Sequence, residues 1–190
     1  GTDLNQKAIT SGELQKKWIE AKRSYFHYRT KQPILNNYAI FSARYEVLKD
    51  TWNSNSDSSI DPIELEIYYH KGHEYNLNKI VDALKLSFDY YTANFSRYKN
   101  DEIRILEVSN YIDNIQSLPN IISFSETNEF ILNSNDESNV DMLYYKTAHE
   151  LAHQWWGMQV EAANTQGRNL IIETLSQYSA LMVMKQKYSN

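Results

Sequence analysis

The chain contains no cysteine. That excludes disulfides and thiolate metal sites, so any metal it holds must be bound by His, Asp or Glu. A basic stripe is also lacking: lysine and arginine are scattered and the net charge is −5, which argues against nucleic acid as a partner. No apolar run approaches the roughly 20 residues of a membrane span, and the opening residues do not read as a signal peptide. Glycine is scarce, five in 190 residues, so loops must rely on Asn, Asp and Ser for their turns. What is present is an ordinary globular balance, 42% hydrophobic and 23% charged. The length suits one domain, or two small lobes sharing a site. The first residue is Gly1 rather than Met, which reads as a cut or processed piece of something larger.

Thr10 and Glu13 match a capping box, and Leu14, Trp18, Ala21 and Tyr25 follow at helical spacing. They predict an N-terminal helix that Pro33 ends. Residues 34–52 are rich in Tyr, Ile, Phe and Val and predict one or two strands. Residues 53–59 form a polar loop. Strict alternation over Ile63-Glu64-Leu65-Glu66-Ile67 predicts a half-buried strand. From about Asn78, the stripe Val81, Leu84, Phe88, Tyr91 and Phe95 predicts a long amphipathic helix. Ile103 to Val108 and Ile121 to Phe124 read as strands, and Asn133 to Asn139 as a second polar loop. Asn139 or Asp141 then caps a helix running through His149 and His153, with Gly157 placed to end it. A last helix runs from about Asn169 towards Lys187. Strands first and helices last is the pattern of an α+β fold.

His149-Glu150-Leu151-Ala152-His153 is an HExxH motif on a predicted helix. Positions i and i+4 share one helical face, so both imidazoles can reach one metal ion. Glu150, beside the first ligand, can take a proton from a water held there. Zinc in a hydrolytic site needs a third protein ligand and an open position. Glu173, twenty positions after His153 and on the following helix, supplies that ligand. One zinc ion per chain is expected.

The stretch HELAHQWWG resembles the HExxH-x-W-x-G stretch of the aminopeptidase N family of zinc aminopeptidases, within the gluzincins. IETLSQY, beginning at Ile172, resembles that family's N-E-G-x-x-x-Y stretch, with Tyr178 as the tyrosine. Ser123-Phe124-Ser125-Glu126-Thr127 falls where the family has G-x-M-E-N. The resemblance covers about Ile60 to the C-terminus. It implies a thermolysin-like (zincin) catalytic domain over 60–190, a twisted sheet lobe followed by a helical lobe with zinc between them. Residues 1–59 are then an N-terminal helix and strands, with Phe41 to Leu48 at the junction with an upstream β domain. The resemblance also implies a peptide substrate whose free amine is met by Glu126. Ile172 and Thr174 replace the family's Asn and Gly, and the spacing to the third ligand is one longer than usual, as in thermolysin. The pattern including SQYSALMVM is similar to a branch found within larger bacterial membrane-transporter-like proteins, which implies a link to a membrane-spanning region outside this chain. The family places a transition-state-stabilising tyrosine beyond the third ligand, with no matching position here. The chain alone is therefore expected to bind zinc but hydrolyse poorly, and Leu181, Val183 and Met184 are expected to lack partners.

His70, His73 and Glu74 do not follow the order of an inverted zincin and read as a turn around Gly72. Of Trp155 and Trp156, at least one belongs to the core. Gln177, one turn after Glu173, reads as a solvated helix position, and His27 as structural. Three functions follow: a zinc aminopeptidase, a zinc endopeptidase, or a peptide-binding or regulatory module carrying a remnant zinc site.

Overall fold

A computed structural model describes residues 1–55, 57–109, 115–132 and 141–189. The chain opens with short strand β1 (Lys7–Ile9), then β2 (Glu13–Glu20) and β3 (Arg23–Arg29), then β4 (Phe41–Ala43) and β5 (Glu46–Trp52). The helix predicted from the Thr10–Glu13 box is instead the β2–β3 hairpin. Its two-residue turn puts Ala21 (φ 47°) and Lys22 (φ 60°) in the left-handed region, the backbone that matches strand twist. Asn-Gly normally announces such a turn, and Ala-Lys does not. Trp18 and Tyr25, apparently one helical face, are cross-strand partners stacked at 5.2 Å. Thr10 caps nothing: its hydroxyl donates to the Ala39 carbonyl at 2.8 Å.

The remaining elements are β6 (Ile63–Tyr69), α1 (Leu77–Asn94), β7 (Glu102–Val108), β8 (Gln116–Leu118), β9 (Ile121–Ser125), a π-helical turn (Glu126–Ile131), α2 (Met142–Ala152) and α3 (Arg168–Tyr188). This is a mixed α+β architecture. A five-stranded sheet runs β5-β6-β7-β9-β8, with β6, β7 and β9 parallel and both outer strands antiparallel. β5 pairs along its whole length with β6, so residues before and after the 53–59 loop share one sheet. The second polar loop, Asn133 to Asn139, lies outside the described residues.

The helices cover one face. Ile63, Leu65, Ile67, Ile103 and Ile105 meet Ile80, Leu84, Phe88 and Tyr91 of α1, with Ala148, Leu151, Trp155, Ala180 and Val183 from the later helices in the same core. Leu84, Phe88 and Tyr91 of the predicted stripe are buried, while Ile80 takes the core place expected of Val81, which packs at the margin, and Phe95 caps the helix. Trp155 is core, and Trp156 lies at its margin. Of the three α3 residues expected to lack partners, Leu181 is exposed, whereas Val183 is buried and Met184 packs against the core. His27 is exposed on β3.

The N-terminal strands cover the opposite face, where Ile9 and Tyr45 pack with Tyr68, Leu106, Leu118 and Ile121. β6 is therefore more than half-buried. Glu66, on this second face, is buried and accepts from Tyr68 and Lys49. Arg104, also buried, donates to the Gly12 carbonyl at 2.8 Å and pairs with Glu66 and Glu102. One guanidinium thus serves two carboxylates. Burial pushes Glu102 up to about 7, against the pull of Arg104 and with a further push from Glu66. Among the described residues, no helix is long and apolar enough to cross a membrane.

Candidate metal centre

Asp141 caps α2, accepting from the Tyr144 amide at 3.1 Å; Asn139, the alternative cap, lies outside the described residues. The helix buries Leu143, Tyr144, Thr147, Ala148 and Leu151, which turns His149 and His153 towards α3. The chain then leaves through Gly157, whose φ of +116° favours glycine. α3 follows and carries Glu173.

These three side chains converge. His149 Nε2 and His153 Nε2 are 3.2 Å apart. The Glu173 carboxylate oxygens lie 3.5 Å from His149 Nε2 and 3.6 Å from His153 Nε2. Ligands on a tetrahedral zinc, with bonds near 2.0–2.1 Å, stand about 3.3 Å from one another. The donor set therefore fits a zinc ion in chemistry and in spacing.

The His153 imidazole is held from behind. His153 Nδ1 faces the Trp156 carbonyl at 3.3 Å and Ser176 Oγ at 3.1 Å. A proton on Nδ1 satisfies the carbonyl and leaves the Nε2 lone pair facing the cluster. Ser176 is fully buried. One turn beyond Glu173 it is Ser176 that meets a ligand, while Gln177 is exposed. The i+3 spacing from Glu173 was the signal that could have found it. The His149 ring lies alongside Tyr145, with centroids 6.1 Å apart. Burial lowers the His149 pKa, helped by neighbouring His153 and opposed by Glu173. A neutral ring is the form that binds a metal.

Glu150 is fixed by a residue that nothing in the local sequence announced. Ser117, on edge strand β8, lies 2.7 Å from Glu150 Oε2 and 2.8 Å from its main-chain oxygen. Oε1 lies 4.0 Å from His149 Nε2. Burial pushes the Glu150 pKa up, with the Ser117 hydrogen bond and His153 pulling it back.

Glu126 follows β9 directly and opens the π-helical turn. Among the described residues, no hydrogen bond or ion pair joins it to the cluster. The turn that carries it is tied to α2 through Glu129 and Lys146, 2.9 Å apart.

A second His/Glu group lies elsewhere. The turn around Gly72 forms, with the His73 amide donating to the His70 carbonyl at 3.0 Å. The carboxylate that both histidines meet is Glu107 of β7, not Glu74. His73 Nδ1 is 2.5 Å from Glu107 Oε1, and His70 Nδ1 is 3.3 Å from Oε2.

No protein-family model matches this chain, and no curated protein matches it.

Proposed function

We propose that the chain is a zinc-dependent metallopeptidase of the aminopeptidase kind, with a thermolysin-like arrangement of sheet and helices. In this reading His149, His153 and Glu173 hold one zinc ion and Glu150 is the general base. The observation that carries it is the convergence of two imidazole nitrogens and a carboxylate at 3.2–3.6 Å, with the Glu150 carboxylate directly beside them.

Zinc held there supplies Lewis acidity, lowering the pKa of a water and polarising the scissile carbonyl. The chain's own residues do the rest. Ser117 occupies one Glu150 oxygen and leaves the other turned to the cluster. Glu150 takes a proton from the attacking water and returns it to the leaving amine. Ser176 and the Trp156 carbonyl keep His153 in the tautomer a ligand needs. Glu126 is assigned to the free amine of the peptide, and that assignment rests on resemblance alone.

The test compares zinc-loaded chain on an aminoacyl amide and on an N-blocked peptide, read at high protein concentration. Cleavage confined to the amide supports the aminopeptidase reading, and cleavage of the blocked peptide makes the protein an endopeptidase. Bound zinc with neither activity would leave a peptide-binding or regulatory module.

A further inference from the structure

Burying a carboxylate away from any permanent cation is costly. Glu107 is such a group. Its side chain is 0% exposed, and among the described residues its ion-pair partners are His70 and His73 alone. A histidine is not a permanent cation. Glu107 also holds the surrounding backbone: Oε2 accepts from the His70 amide at 2.5 Å, and its carbonyl accepts from the Tyr45 hydroxyl at 2.8 Å. Gly72, at φ +97°, turns the chain so that His73 comes back to the same carboxylate.

His70 Nδ1 is the informative atom. It is buried and has no hydrogen-bond partner among the described residues. Yet it sits 3.3 Å from Glu107 Oε2, the separation of two ligands on one zinc ion, about 3.3 Å. The Tyr45 ring packs against His70 at 5.2 Å, leaving the imidazole little freedom to seek another partner. Ligand atoms from His70, His73 and Glu107 all lie within 4.8 Å of one another.

We propose that His70, His73 and Glu107 form a second divalent-cation site, of the N/O type that suits zinc. The ion supplies the lasting positive charge that the buried carboxylate lacks and gives His70 Nδ1 a partner. The His73–Glu107 contact lengthens by under about 1 Å to admit it. Entry is from the histidine side, where the two rings are 28% and 23% exposed. Its role is to staple the turn between β6 and α1 to the end of β7. The site is independent of the proposed peptidase centre.

The experiment is zinc titration of the metal-free chain against a chromophoric chelator, with melting followed in parallel. Wild type is expected to take two equivalents and a His149→Ala/His153→Ala variant one. Adding His73→Phe or, separately, His70→Gln to that variant should remove the remaining equivalent. Zinc should raise the melting temperature of the His149→Ala/His153→Ala variant, and that rise should vanish with His70→Gln. Metal-free melting checks that each variant folds. The proposal is overturned if the folded His149→Ala/His153→Ala variant binds no zinc. It is equally overturned if binding persists unchanged in both added variants. Failure of the peptidase centre looks different: His149→Ala/His153→Ala would then lose no equivalent relative to wild type.

Discussion

Two groups of two histidines and one glutamate share this fold, and their burial is inverted. In the first, the imidazoles of His149 and His153 are mostly covered and the Glu173 carboxylate is 52% exposed. In the second, Glu107 is fully covered and His70 and His73 form the outer side. An exposed carboxylate on a separate helix leaves room for another ligand, as a reactive centre requires. A buried one, already bonded to the loop above it, acts as an anchor. Under the two proposals identical donor sets carry different roles, and the position of the carboxylate separates them.

The sharpest way to break this comparison is at Glu150. Glu150→Gln should lower peptide hydrolysis by about 100- to 10,000-fold and leave the zinc content unchanged. Full activity with Gln would remove Glu150 from the chemistry and make the two groups alike. The next effect concerns stability without metal. Glu107→Ala strips the partner from the His70 amide and from the His73 ring, and should cost about 3 kcal/mol. Glu173→Ala, at an exposed position, should stay within about 0.5 kcal/mol. Equal losses in chemical denaturation would end the contrast between anchor and open ligand.

Smaller effects sharpen the picture. Ser176→Ala should weaken zinc binding at the first group about tenfold, whereas Gln177→Ala should leave it unchanged; competition with a chelator reads both. Glu126→Ala should slow cleavage of free-amine substrates about tenfold, with little change on N-blocked ones. Equal slowing of both would count against amine recognition. The last test uses Glu102, a half-buried carboxylate that does have a permanent cation in Arg104. Its folded pKa, up to about 7, exceeds that of an exposed glutamate. The folded state therefore keeps its proton longer than the unfolded state. The stability from this group is present at acid pH and is lost as pH rises from about 4.5 to 7. Glu102→Gln should flatten that part of the melting profile, and an unchanged slope would assign it elsewhere.

The first group was legible because one helix carries its motif: i, i+4 spacing survives in a linear text. The strands β6, β7 and β9, helices α1 to α3 and the Asp141 cap were legible for the same reason, since local periodicity produces them. Ser117 was not, because it reaches Glu150 across 33 positions through an edge strand of three residues. Glu107 reaches His73 across 34. The hairpin at Ala21-Lys22 was misread because its residues match a helical stripe and its turn lacks Asn or Gly. The covered second face of β6 escaped because Glu66 resembles an outward residue until Arg104 is placed above it.

Arg104 and Asn120 have a bearing on the order of assembly. The Gly12 carbonyl is held by Arg104, 92 positions later, and the Gly12 amide by the Asn120 side chain, 108 positions later. During folding the segment around Gly12 has no docking surface until the sheet that carries Arg104 and Asn120 exists, so it must wait. The β2–β3 hairpin is local enough to form early, but its attachment comes late. The segment around Gly12 is thus a closing latch on a finished sheet, and an early one to detach when the protein is stressed.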